Sequence, residues 1–323
     1  MSAIPVPKEV LQRAYVRKLN PFIKLPFFYG MVAALGYAGW WACNHLRHGV
    51  VLGVVSGVFI GMLVRGLGSI GHDGVHGVVS KNRFVNYVMG FLGWSATLMS
   101  YSIYRTYHLD HHRIVCQPSD IDRVQPSMWT RSAGVSRLYR VAIYMGGYPI
   151  YWALRVGRYL REMPWYLHLR MYAEFVFLYG GLVGLYFVMG AVPFIAIVGT
   201  QTVTGAFFAS ATSMCEHFGM RYHPDPGFSS RTYAIKSWFA NFLWSGTNFH
   251  HEHHTWPGIP YYNLRSFHFE ARPFYPPEVQ AHMHDYFWPL AFELWGQAAK
   301  VDPNEERANA QADEAMLAQA SAA

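Results

Sequence analysis

The apolar positions of this chain gather in runs too long to be one face of a soluble helix. Residues 25–43 are apolar and uncharged, and at about 1.5 Å per residue such a run crosses most of the roughly 30 Å hydrocarbon core of a bilayer. After a short link the pattern resumes over residues 49–70, where Arg65 is the one charge and sits near the far end, placed to snorkel. Two further runs, 171–189 and 191–214, meet at Gly190 with no Lys or Arg beside the turn. The four runs predict two hairpins of membrane-spanning helices. Residues 84–104 form a fifth apolar stretch, weakened as a span by Asn86, Gly90, Gly93 and Ser95.

The polar segments assign sides. Residues 1–24 carry Lys8, Arg13, Arg17, Lys18 and Lys24 and read as a polar, partly helical lead. The apolar run that follows lacks a small-residue cleavage site, which predicts an anchor and not a cleaved signal peptide. Residues 105–170 hold Arg105, Arg113, Arg123, Arg131, Arg137, Arg140, Arg155, Arg158, Arg161 and Arg170, an excess of the kind that stays cytoplasmic. Arg221, Arg231, Lys236, Arg265 and Arg272 follow the fourth run. Both termini and the middle loop are therefore expected on the cytoplasmic side. Inside that loop, residues 138–160 mix arginines with Tyr144, Tyr148, Tyr151 and Trp152, which suits either an amphipathic helix at the interface or an ordinary soluble helix. From residue 301 the composition turns to Ala, Glu, Asn and Gln, predicting a flexible tail over 301–323, a frayed helix or disorder, with no chemical role.

Composition agrees with a membrane protein: 52% of the 323 residues are hydrophobic, 17% aromatic and 14% charged. A mean hydropathy of only +0.07 requires a substantial polar-faced part as well. The expected fold is an all-α integral membrane protein, with a membrane domain over 25–300 whose four transmembrane helices are capped by a cytosolic helical domain. The net charge of +7 comes from blocks of basic residues beside apolar segments, so nucleic acid is not expected as a partner. Cys43, Cys116 and Cys215 have no C-x-x-C spacing, and neither a disulfide framework nor a thiolate metal site is implied.

The chemistry lies in the histidines. NFHHEHHTWPGIPYYNL places His250, His253 and His254 at i, i+3 and i+4, one face of a helix, with His251 turned elsewhere. GHDGVHG spaces His72 and His76 at i, i+4, and YHLDHH repeats i, i+3, i+4 at His108, His111 and His112. These eight exceed what one tetrahedral zinc accepts, and two metals accommodate them most simply. If residues 84–104 crossed the bilayer, the first two clusters would face opposite sides, so an interfacial or re-entrant segment is expected there. Asp73, Asp110, Glu216 and Glu252 each adjoin a histidine and either accept an outer ring N–H or only balance charge. His45, His48, His168, His223, His268, His282 and His284 stand alone and read as structural or surface residues. Imidazole by itself does not choose among zinc, copper, iron and nickel. A metal transporter would need ligands along a mid-membrane path, whereas these clusters sit where the apolar runs end.

In order and separation, GHDGVHG, YHLDHH and NFHHEHH resemble the three histidine boxes of the membrane fatty acid desaturase and hydroxylase superfamily. The resemblance implies two iron ions held by histidine and molecular oxygen as co-substrate. In the stearoyl-CoA desaturase branch one more histidine follows the fourth span, and SMCEHFG places His217 there. That branch has an asparagine where this chain has Ser213, which leaves the second metal one contact short. Pro260 to Leu264, PYYNL, resembles the PxYNL continuation of acyl-lipid desaturases. The implied activity is oxygen-dependent introduction of a double bond into a fatty acyl chain of a lipid. Alternatives are acyl hydroxylation and carotenoid ring ketolation or hydroxylation, whose boxes take HDxxHG and HHEHH forms. Tyr101, Tyr104, Tyr107, Trp238, Phe239, Phe242 and Trp244 either line a substrate tunnel or belong to the core and interface belt. YHPDPG is no haem motif, so electrons must come from an external ferredoxin, rubredoxin or small cytochrome with its reductase. The arginine-rich loop is the expected dock for such an acidic carrier.

Overall fold

The computed structural model describes residues 4–322, the side chains of 319–322 excepted. Four of its helices are long and apolar enough to cross a membrane. After a short helix α1 (Lys8–Ala14) come α2 (Asn20–His45) and α3 (Gly49–Val75), an antiparallel hairpin. The second hairpin, α8 (Trp165–Met189) and α9 (Ala191–His217), turns at Gly190, whose φ of +80° favours glycine. Between the hairpins lie α4 (Arg83–Ser95), α5 (Tyr101–Ile114), α6 (Ala133–Ala142) and α7 (Tyr148–Arg155). After α9 come α10 (His250–Thr255), α11 (Tyr261–Ala271), α12 (Phe287–Ala298) and α13 (Pro303–Ala322). Among the described residues β-pairing is limited to isolated bridges of Thr232 with Phe249 and Met283.

The long helices are apolar on their outward as well as their inward faces. Outward positions such as Val51, Phe187 and Val203 are 62%, 78% and 72% exposed, as lipid-facing residues would be. Inward, α3 approaches α9 closely: a Cβ at Gly57 would lie 2.5 Å from the Ile197 carbonyl, and one at Gly61 would lie 2.8 Å from that of Gln201. Small residues permit this backbone contact between the packed helices.

The stretch 84–104 is a helical hairpin and not one crossing helix. Asn82 caps α4 and Ser100 caps α5, each side-chain oxygen accepting from backbone N–H groups of the first turn. The tip between them is pinned to α8 at two depths. Glu174, 3% exposed, accepts from the Ser100 and Ser102 hydroxyls, the Ser102 N–H and the Tyr87 hydroxyl, so the carboxylate is satisfied by four donors. Farther along α8, the Tyr179 hydroxyl donates to the Leu98 carbonyl at 3.3 Å. The hairpin returns α5 to the same end of the bundle as the exit of α3.

Three expectations need correction. Residues 138–160 are not one amphipathic helix: a π-turn over Ile143–Gly147, with Gly146 at φ +137°, separates α6 from α7. Not all of the loop arginines join one basic face either, since Arg123, Arg137 and Arg140 are engaged with the C-terminal segment. Arg123 and Arg221 lie 2.8 and 2.7 Å from Asp313, fully buried Arg140 pairs with Glu306 at 2.7 Å, and Arg137 donates to the Val301 carbonyl. Those partners explain the third correction. The segment after residue 301 forms α13, docked through Asp313 and Glu306 and through buried Ala310. Its low hydrophobicity hid this, because ion pairs and not apolar area fasten it. The expectations for residues 1–3 and 323 lie outside the described residues.

Candidate metal centre

Four elements bring nine histidines together. His72 lies in the last turn of α3, and His76 caps the helix one turn on. α5 carries His108, His111 and His112, α9 ends at His217, and α10 carries His250, His253 and His254. Their ring nitrogens fall into two sets, each within 4.8 Å: His72, His76, His108, His112 and His253, and His111, His217, His250 and His254. Helix geometry explains the division. Residues at i and i+4 are about 40° apart around the axis and stay together, whereas i+3 is rotated about 60° the other way. So His108 with His112, and His250 with His254, share a set, while His111 and His253 cross to the opposite one.

The spacing inside each set fits a metal. Two nitrogens each about 2.1 Å from one ion and at right angles lie about 3 Å apart. Here Nε2 to Nε2 is 3.1 Å for His76–His108, 3.1 Å for His108–His112 and 2.8 Å for His112–His253. In the other set it is 2.9 Å for His217–His250 and 3.0 Å for His250–His254. His72 is 5% exposed and both its ring nitrogens lack a hydrogen-bond partner, a costly arrangement for a buried imidazole unless an ion completes it. Burial, and then the neighbouring imidazoles, hold His108, His112, His250, His253 and His254 well below the usual histidine range. They are neutral near pH 7, the state that binds metal.

The acids next to the histidines in sequence do other work, because one residue along a helix turns a side chain about 100° off the histidine face. Asp73 accepts from the Tyr261 N–H, and Asp110 holds Arg113, Arg158 and the Tyr159 hydroxyl. Glu216 holds Arg65 and Tyr233, with His250 4.0 Å away. Glu252 sits behind α10, accepting from Thr232, His268 and Tyr275. The carboxylate that reaches a box histidine is Asp120, which sequence reading missed. Its oxygens lie 3.0 and 3.1 Å from His111 Nδ1, with Asp122 3.5 Å from the same atom. Burial alone would lower His111, but Asp120 and then Asp122 outweigh it and push it up to about 9. The SDID sequence carried the signal, but on a loop no periodicity points to it. His217 Nδ1 donates to the Ser229 carbonyl at 3.0 Å, and the Tyr261 ring packs 4.6 Å from that of His72.

A cavity of about 230 Å³ ends on both sets, touching His72 and His108 of one and His111, His217 and His250 of the other. Tyr104, Tyr107, Trp94 and Trp152 wall it. The other expected tunnel aromatics lie elsewhere: Tyr101 against Gly90, Phe242 against Phe28, Trp244 in the core, and Trp238 and Phe239 exposed.

The profile of the fatty acid desaturase family matches residues 48–287, a stretch that holds all nine histidines and both hairpins from the start of α3. The chain belongs to the fatty acid desaturase family. No curated protein matches it in whole-sequence comparison. Family membership places the chain among oxidoreductases of the desaturase and hydroxylase type, and the two histidine sets are groups that can each hold a metal ion.

Proposed function

We propose that the protein is an oxygen-dependent, membrane-bound di-iron oxidoreductase that introduces a double bond into a fatty acyl chain of a lipid. The carrying observation is that two histidine sets, of five and four ligands, open onto the end of one largely aromatic and aliphatic cavity. Two iron ions (Fe2+/Fe3+) held there would supply the activation of dioxygen needed to break an unactivated C–H bond. The reaction takes two hydrogen atoms from adjacent carbons and, with two electrons and two protons from outside, reduces one dioxygen to two waters. The nine histidines would hold the ions, Asp120 keeps the Nδ1 proton on His111, and the aromatic walls would hold a methylene against both sets. Ser213, where the resembled branch has an asparagine, lines the cavity.

The reading places the four long helices across the bilayer, with both termini and the metal centre on the cytoplasmic side, the side the basic residues favour. Electrons come from an acidic one-electron carrier such as a ferredoxin, rubredoxin or small cytochrome. His76 and His112 are the half-buried members of the five-histidine set. Exposed Arg105 acts on His76 electrostatically, and Arg17 donates to the Gly77 and Val78 carbonyls just after it. Among the loop arginines, Arg105 at this edge is the expected dock.

Mass spectrometry of lipids and pigments from cells expressing the chain with a redox partner, against His253→Ala, tests the reading. Loss of two hydrogens from an acyl chain, absent in the variant, is expected. A gain of one oxygen would move the assignment to hydroxylation, and an oxidised carotenoid ring would overturn the acyl substrate.

A further inference from the structure

The cavity has a direction. Along α9 it is lined by Gln201 and Thr202, Gly205 and Ala206, Ala209, Thr212 and Ser213, and then Glu216 and His217, one continuous helix face. Among the described residues that line it, Thr202 alone is exposed, and the lining at the metal end is buried apart from half-buried Arg65, Asp122, Tyr148 and His217. Thr202 lies roughly 17 Å from the Ala191 end of α9 and roughly 23 Å from the His217 end, at 1.5 Å per residue. The opposite lip is the tip of the α4–α5 hairpin, Ala96 to Met99. Its depth is set independently by the Leu98 carbonyl on Tyr179, which lies past the middle of α8 counted from Trp165. Both lips put the mouth near the bilayer midplane, about 15 Å from either hydrocarbon surface.

The lining cannot carry a charged head group inward. Arg65 is the one Lys or Arg that lines the cavity, and Glu216 neutralises it at 2.8 Å. A phosphate or carboxylate drawn past Leu98, Gly205 and Ala206 would lose its water without gaining a cation. The part of a lipid found at the midplane is its apolar end.

We propose that the substrate is taken from the hydrocarbon of the bilayer with its apolar end first, so that the position of oxidation is counted from that end. This rests on the proposed function and adds to it the orientation of the bound chain and the reference point of the chemistry. The head group, whatever its identity, stays outside Thr202.

Photo-crosslinking in membranes holding the full chain tests the orientation without turnover. The probes are one long-chain fatty acid with a diazirine at the methyl end and the same acid with a diazirine beside the carboxyl. The methyl-end probe should label peptides at the metal end, around Tyr104 and Thr212. The carboxyl-end probe, whose head group stays at the bilayer surface, should label lipid and leave the metal end unlabelled. Ala206→Trp at the mouth should lose the metal-end label while keeping the wild-type metal content. The reversed pattern, or no difference between probes, overturns the proposal. In the active enzyme, acyl chains differing by a two-carbon unit should be oxidised at a constant distance from the methyl end, and constancy from the carboxyl end would sink it. Correct labelling with no oxidised product would instead count against the proposed function and leave the orientation standing.

Discussion

Asp120→Asn is the most discriminating substitution the centre offers. The Asp120 carboxylate, 1% exposed, receives His111 Nδ1 at 3.0 and 3.1 Å, the Cys116 N–H at 2.9 Å on one oxygen and the Asp122 N–H at 2.9 Å on the other. Burial acts against the charge, but His111 holds the carboxyl below its usual range. Asparagine keeps the shape yet replaces one acceptor oxygen with a donor, which then meets the Cys116 or the Asp122 N–H head-on. One buried donor is left unpaired, at about 1–3 kcal/mol, and His111 loses its charged partner, which for outer-shell groups costs about 10–100-fold in metal affinity. The loss should fall on the set that contains His111. Purified variant titrated with a competing chelator, with metal counted by mass spectrometry, should release one ion at roughly 10–100-fold lower chelator while the five-histidine set keeps its own. Equal release of both ions, or two ions held as in the wild type, would refute the assignment of Asp120.

Three further outcomes follow from the same contacts. Asp313→Ala removes the buried carboxylate that fastens α13 to Arg123 and Arg221. Because Arg221 is half exposed, the cost should be nearer about 2 than 5 kcal/mol. α13 also roofs a polar cavity of about 290 Å³ that reaches His217 and Asp120, so hydrogen exchange along α13 should rise, and unchanged protection would exclude the clasp. His251→Ala should keep both metals, since His251 Nδ1 donates to the Gly227 carbonyl at 2.7 Å and the ring lies in neither set; loss of an ion would show that the division of α10 is wrong. Arg105→Glu should raise the KM for an acidic electron carrier about threefold to tenfold at low ionic strength, with the difference fading as salt is added. An unchanged KM would move the dock away from His76.

Much of this protein is legible in the order of its residues, because its signals are local. Four apolar runs long enough to cross a bilayer follow from counting residues against hydrocarbon thickness, and three histidine clusters follow from the helical repeat. The helices extend beyond the apolar runs, α3 to Val75 and α9 to His217, since a helix continues past the last apolar residue until its backbone is capped or broken. Partition of the ligands needed the fold. Helical spacing puts His108, His111 and His112 on one side of α5, but which of them faces α3 and which faces α9 depends on where those helices stand. Asp120 was invisible for the same reason: it comes from a loop that folds back on α5, while the acids beside the boxes in sequence point away by helix geometry. The docking of α13 and the depth of the α4–α5 tip likewise rest on Asp313 and Glu174, single carboxylates whose partners are far away in the chain. What a chain does over one or two helical turns is set by covalent geometry and so can be read from order alone. What a side chain meets across the molecule is set by packing, and only the tertiary structure decides it.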